Sequence, residues 1–174
     1  MSEETERVTR ALMLRIIAAG PTFRNVPGAT LDAFVANATT MHARRGQSIY
    51  HAGNDWERLG FVLEGTLAML ATEGGERQHL YEQIGAGGLF GVSAVFDGEP
   101  EMAHTVVLSQ SATFAWIPRS AVLALCRKDS ELSLALATVI ARRLRNVTSL
   151  LAEQVSLSTR ERLARFLLNF AEGT

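Results

Sequence analysis

A glycine-rich segment is the part of the sequence best suited to hold a small ligand. Gly85, Gly87, Gly88 and Gly91 fall within seven residues. Because glycine has no Cβ atom, its backbone can approach a bound group closely and adopt positive φ angles. A short apolar stretch at residues 92–96 follows, then an Asp-Gly turn and a β-branched run. The pattern predicts a glycine turn, one helical turn, a loop and a strand that together form a cradle.

This segment, residues 85–107, resembles the phosphate-binding cassette of the cyclic-nucleotide-binding domain in Crp/Fnr transcription regulators. In that family an acid follows the glycine at the position of Gly91, and an arginine ten residues later holds the cyclic phosphate. This sequence has Val92 and Met102 there, and Ala103 in place of the usual small hydroxyl residue. A buried phosphate without a cationic or multi-donor partner keeps most of its desolvation cost. We therefore expect no binding of ordinary cyclic AMP.

The resemblance also implies which residues would surround a ligand in this pocket. They lie on the strand before the cassette, in the cassette, directly after it and on a long C-terminal helix. The implied set is Tyr81, Glu82, Ile84, Gly91, Val92, Ser93, Met102, Ala103, Val147 and Thr148. An inward-facing Glu82 would further repel a phosphate. The alternative is a vestigial pocket that these side chains fill themselves.

Histidine and cysteine are the remaining residue types that could bind a metal or do redox chemistry. They are His42, His51, His79, His104 and Cys126. Cupin enzymes, which share the jelly-roll architecture, bind metal through a His-x-His pair, a carboxylate and a further histidine. Because this sequence has no His-x-His pair, we assign no metal ligands and keep a cupin-like metalloenzyme only as a remote alternative. Haem ligation by one histidine occurs in some relatives, but nothing here supports it. Cys126 is expected to pack in the core.

Composition and charge exclude several classes of function. The formal net charge is −1, which gives no electrostatic reason to expect nucleic-acid binding by this chain itself. No apolar run approaches the ~20 residues that span a bilayer, and the acidic, polar start is unlike a signal peptide. We expect a cytoplasmic location without membrane contact. No nucleophile, base and orienting group form a recognisable set, so no enzyme is predicted.

The periodicity predicts two helices before a β domain. Residues 3–19 place Val8, Leu12 and Ile16 on one helical face, and residues 30–38 form a second amphipathic helix. From residue 41 to residue 118, short β-prone runs alternate with glycine turns, the pattern of an antiparallel jelly roll. Gly65 is expected to take the positive φ of a tight turn. The fold class is mainly β with flanking helices, a double-stranded β-helix barrel of the cyclic-nucleotide-binding type, followed by a long dimerisation helix.

That long helix is predicted from about residue 131 to residue 155, capped by Asp129 or Ser130. Its apolar stripe continues past what one small barrel can cover, and the family pairs through this helix. We therefore expect a homodimer, with one side packed on its own barrel as the alternative. The predicted interface is Leu136, Ile140, Leu144, Val147 and Leu151.

Three segments follow as predicted domains: residues 1–129 with the barrel, 130–156 with the dimerisation helix, and 157–174. The last begins with a capping box, Ser158 and Glu161, where the family has the first helix of its winged-helix domain. DNA contact is expected only through a C-terminal domain absent from this chain. We expect the sensor and dimerisation part of a Crp/Fnr-like regulator with an unknown small-molecule effector. The alternative is a stand-alone module that binds a metabolite or a protein partner.

Overall fold

The computed structural model describes residues 3–73 and 77–156. The helices are α1 (Glu3–Ala19), α2 (Gly28–Ala36), α3 (Val92–Asp97), α4 (Arg119–Cys126) and α5 (Ser130–Ser156). The strands are β1 (Thr39–Arg44), β2 (Ser48–Tyr50), β3 (Arg58–Glu64), β4 (Leu67–Glu73), β5 (Arg77–Ile84), β6 (Leu89–Phe90), β7 (His104–Val107) and β8 (Ser111–Pro118). None of the described helices is long and apolar enough to cross a membrane.

Two four-stranded antiparallel sheets form the jelly roll that the sequence predicts. One has the strand order β1-β8-β3-β6 and the other β2-β7-β4-β5. Gly65 has a φ of +84° in the turn between β3 and β4, as expected, and a Cβ there would lie 2.4 Å from the backbone oxygen of Ser111. The turn therefore requires glycine for both its conformation and its space.

The chain divides into two compact units, residues 1–137 and 138–174, and the division falls inside α5. The first unit contains both sheets and helices α1 to α4. The predicted division into segments 1–129, 130–156 and 157–174 stays a prediction, and the predicted final helix lies outside the described residues.

The first helix has the predicted bounds but buries a different face. Met13 and Ile17 are buried, whereas Val8 is 61% exposed and Leu12 is also exposed. The expectation that Val8, Leu12 and Ile16 form the buried stripe was wrong. Two stripes with four-residue spacing lie side by side on this helix, separated by one residue or about 100° of rotation. Spacing alone could not choose between them.

The second helix confirms the predicted element and its apolar face. It starts at Gly28, two residues before the predicted start, and Leu31, Phe34 and Val35 are buried. The ring of Phe34 contacts Phe23 and Phe61, with centroids 5.7 Å and 6.3 Å away. Helix α2 thus packs against the barrel at β3.

Asp129 is the cap of the long helix, one of the two residues predicted for that role. Its Oδ1 atom accepts a 3.1 Å hydrogen bond from the backbone N–H of Leu132. The hydroxyl of Thr30, at the start of α2, donates to Oδ2 of the same carboxylate. The hydrogen bond from Thr30, followed by that from the Leu132 backbone, holds the pKa of Asp129 below its usual value. One carboxylate therefore connects the first turns of α2 and α5.

We predict that Thr30→Val lowers the melting temperature at neutral pH and has less effect in acid. Because the folded pKa of Asp129 is lowered, the stabilisation is complete above the unfolded pKa of about 3.9 and disappears as pH falls through the folded pKa. Melting curves from pH 2 to pH 7 test this, and Thr30→Val combined with Asp129→Ala should be no less stable than Asp129→Ala alone. A melting difference independent of pH would contradict the prediction.

Candidate ligand-binding site

The predicted cassette folds as a turn, a short helix and a loop, with glycines where the backbone demands them. Gly91 precedes α3 with a φ of +73°, and Gly98 follows it with a φ of +76°. A Cβ on Gly91 would lie 2.5 Å from the backbone oxygen of Arg58 and 2.8 Å from the Trp56 indole. The cassette therefore packs so closely against the start of β3 that a residue larger than glycine would not fit at position 91.

A row of three inward side chains crosses one sheet beside this cassette. Met69 on β4 pairs with Glu82 on β5 and with Thr105 on β7. Directly paired residues in an antiparallel sheet point to the same face. Met69 and Thr105 are buried and one carboxylate oxygen of Glu82 is buried, so this face is the barrel interior. We call Glu82, Met69 and Thr105 the inward row.

The inward row includes a fully buried hydroxyl group, that of Thr105. The side chain of Thr105 has no solvent exposure, and its hydroxyl has no hydrogen-bond partner among the described residues. Buried hydroxyls without a partner are rare, and each one calls for a ligand, a water molecule or strain as its cause. Sequence reasoning missed Thr105, because only the register of β4 and β7 places it in one row with Met69 and Glu82.

The other residues implied by the resemblance fall into three groups. Ile84 and Ala103 belong to the packed core, and Val92 is also buried. Tyr81 and Ser93 are exposed, and Met102 is 89% exposed. Val147 and Thr148 lie on α5 in the second compact unit. The ligand contacts of this set stay a prediction.

A separate open cavity of about 870 Å³ lies on the first compact unit. Strand β2, the loop after it, and the end of α3 form its wall, and none of the implied pocket residues lines it. Three carboxylates, Asp55, Glu57 and Glu99, and one cation, Arg58, also line it. The guanidinium of Arg58 lies 4.0 Å from the ring centroid of Trp116, within cation–π distance.

Two histidines that are far apart in the sequence lie side by side, and one of them, His51, lines this cavity. The Nδ1 atoms of His51 and His104 are 3.2 Å apart, although 53 positions separate the residues. His104 begins β7, and β7 pairs with β2, which ends directly before His51. A correct prediction of that strand pairing would have found the pair. No cluster of three or more His, Cys, Asp or Glu side chains suited to a metal occurs in the part of the chain that the structure describes.

Cys126 differs from its expectation of full burial. Its side chain is half-buried, and burial raises the pKa of the thiol above its usual value. The thiol is thus held in its neutral, less reactive form.

Comparison with known proteins identifies the family. The family model described as "Cyclic nucleotide-binding domain" matches residues 40–129, and the chain belongs to this family. The "CRP-like cAMP-activated global transcriptional regulator" of Mycobacterium tuberculosis is 24% identical over 160 residues, which are 92% of this chain and 71% of that regulator. The sequence relatives thus support membership of the Crp/Fnr group of transcription regulators.

Solved structures show the same fold. The catabolite activator protein of Thermus thermophilus matches with a TM-score of 0.70 at 24% identity, covering 78% of this chain and 63% of that one. A cyclic nucleotide-binding domain from Methylobacillus flagellatus matches with a TM-score of 0.72 at 19% identity, covering 87% and 86%. This chain therefore spans less than two thirds of the Thermus protein.

We predict that Gly60→Ala destabilises the barrel beneath the cassette. Gly60 on β3 pairs with Phe90 on β6, and an added Cβ would lie 2.0 Å from the Phe90 ring. Overpacking of this kind costs about 1–3 kcal/mol. Urea unfolding measures the loss, and Gly85→Ala is the matched control, because a Cβ there meets nothing within 4 Å. Equal stability of the two variants would refute the packing.

Proposed function

We propose that this chain is the sensor and dimerisation portion of a Crp/Fnr-like transcription regulator whose effector is not ordinary cyclic AMP. It acts in the cytoplasm without a catalytic step of its own, and it controls DNA binding by the helix-turn-helix domain of that family. The observation that carries the proposal is the inward row, in which the carboxylate of Glu82 and the hydroxyl of Thr105 face the barrel interior.

The electrostatics of the inward row argue against an anionic ligand. A phosphate placed beside Glu82 would add a second negative charge to a poorly solvated interior, where like charges repel far more than in water. Met102, which stands where the family has its phosphate-binding arginine, has no charge and projects into solvent. The buried hydroxyl of Thr105, which has no hydrogen-bond partner among the described residues, instead favours a neutral molecule that can pair with it.

Effector control requires a connection from the barrel to the dimerisation helix. Asp129 joins the start of α5 to α2, and α2 packs on the barrel through Phe34. A ligand shifts such an equilibrium only by its differential affinity for two arrangements. The cap at Asp129 is the point at which a change in the barrel would alter the direction of α5.

Dimerisation is proposed through the exposed apolar positions of α5. Leu144 is 66% exposed and Ile140 and Val147 are half-buried. Leu136 is already buried by its own chain, so it would lie beneath the residues that contact the second copy. An apolar residue as exposed as Leu144 within a continuing stripe is typical of a helix that pairs with a second copy.

We predict that the unmodified chain does not bind cyclic AMP and that Met102→Arg increases its affinity. One charge-assisted hydrogen bond contributes about 1.5–3 kcal/mol, or roughly tenfold to hundredfold. Val92→Glu, combined with it, would supply the ribose acceptor. Isothermal titration calorimetry measures binding, after melting curves show that the variants fold.

Met41→Arg is the matched control for charge, because Met41 is an exposed methionine on β1 in the other sheet. It should leave cyclic AMP binding unchanged. Tight cyclic AMP binding by the unmodified chain would overturn the proposed effector class. Folded variants without any gain would show that the cassette is misplaced.

We predict that Leu144→Glu converts a dimer into monomers. Removing a leucine from the interface and leaving an unpaired charge there costs about 3–5 kcal/mol, which raises the dimer dissociation constant about hundredfold or more. Sedimentation velocity measures the species. Asn146→Glu, an exposed change on the same helix, should leave the dimer intact. A dimer that survives Leu144→Glu would place the interface elsewhere.

A further inference from the structure

The pair of His51, which lines the open cavity, and His104 has a geometry that a simple surface contact does not require. The Nδ1 atoms of His51 and His104 are 3.2 Å apart, and their rings are nearly perpendicular at 79°. His51 is exposed and His104 is half-buried on β7. Two nitrogens with lone pairs can approach so closely only if a proton or a cation lies between them.

The backbone indicates where that proton lies. The N–H of Ala52 is directed at Nδ1 of His104 over 3.4 Å, which makes this nitrogen an acceptor. Nδ1 of His51 must then carry the hydrogen that joins the two rings. His104 accepts through Nδ1 in this arrangement, and an imidazole nitrogen that can accept a hydrogen bond can also bind a metal.

The same separation matches the distance between two ligands of one metal ion. Zinc binds histidine nitrogen at about 2.0–2.1 Å, so two nitrogens of a tetrahedral site are about 3.3 Å apart. We propose that Nδ1 of His51 and Nδ1 of His104 together bind one divalent transition metal ion, with Zn²⁺ as the reference ion. The metal occupies the single lone pair of His104 Nδ1 in place of both the shared hydrogen and the Ala52 N–H, and the hydrogen of His51 moves from Nδ1 to Nε2, so that Nδ1 of His51 can also bind the metal.

The surroundings favour a cation and leave its remaining coordination positions open. His51 lines the cavity of about 870 Å³ together with Asp55, Glu57 and Glu99, whose negative charges raise the local concentration of cations. No third His, Cys, Asp or Glu joins the two histidines in a cluster within the described residues. The described part of the chain therefore supplies two ligands, and water or a small molecule in the cavity can supply the others. Open positions are typical of zinc sites that bind a further ligand.

This site is independent of the inward row and of the proposed effector. None of the residues implied for the effector pocket lines the cavity. It also differs from the cupin pattern considered above, because its two histidines come from different strand regions and are not a His-x-His pair. Failure of one proposal therefore leaves the other standing.

The test is calorimetric titration of the intact, metal-free chain with ZnCl₂, in wild type and in His51→Ala and His104→Asn. The asparagine oxygen can still accept the Ala52 N–H, which preserves the local backbone. Because loss of a group that only supports a ligand already costs about 10–100-fold in metal affinity, loss of either ligand should cost at least about tenfold. His42→Ala is the control, since His42 is exposed and its Nδ1 bonds the Thr113 hydroxyl instead.

A second measurement does not depend on the variants folding. Imidazole ¹⁵N spectra of the wild-type chain with Zn²⁺ should show the Nδ1 signals of two histidines shifting together at one equivalent of metal. Stoichiometric binding that both substitutions abolish and His42→Ala leaves intact would support the site. Affinity unchanged in His51→Ala and His104→Asn, no binding at all, or Nδ1 signals that do not move, would overturn it.

Discussion

The pairing of β4 with two neighbours is the constraint on which the character of the pocket depends. Because β4 is bonded to β5 on one side and to β7 on the other, a single register decides which side chains face the interior. That register puts Glu82, Met69 and Thr105 in one row, and Ile84, Leu67 and Val107 in the next. A slip of one residue would turn Glu82 and Thr105 outward and bring Tyr81 inside. The hydrophobic second row, which is fully buried, prevents that slip.

The buried apolar row thus holds the polar row in its inward register. A carboxylate and a hydroxyl facing a barrel interior cost free energy unless something pairs with them. A Crp/Fnr-type barrel normally directs donors at a phosphate, whereas this one directs an acceptor and a small hydroxyl. The glycine turns thus keep the backbone of the cradle, whereas Glu82 and Thr105 differ from a set of donors for phosphate, and this difference supports the proposed effector class.

Sequence patterns predicted the elements that depend on local backbone physics. Gly65 and Gly91 take positive φ because their turns leave no room for a Cβ, and a glycine at such a place is readable without any structure. The buried face of α1 could not be predicted, because two apolar stripes compete and only the neighbouring surface selects Met13 and Ile17. Thr105 and the His51–His104 pair were missed for a related reason. Their positions depend on pairing between strands that lie far apart in the sequence, and composition and spacing do not reveal that pairing.

A continuous series of contacts leads from the cassette to the start of α5. Gly91 lies against the backbone of Arg58, whose guanidinium covers the ring of Trp116 on β8. The backbone N–H of Arg119, which opens α4, donates to the oxygen of Glu57 at 2.9 Å, so the loop before β3 also holds α4. Helix α4 ends at Cys126, three residues before the Asp129 cap.

Such a series of contacts couples the cassette to α5 only if it has two arrangements for which a ligand has different affinities. Asp129 is only partly buried, so its carboxylate can exchange its partners with water. The cap is therefore a place where the series can rearrange. A ligand that tightened or loosened α2 against the barrel would change how firmly Thr30 holds that carboxylate, and with it the anchoring of α5.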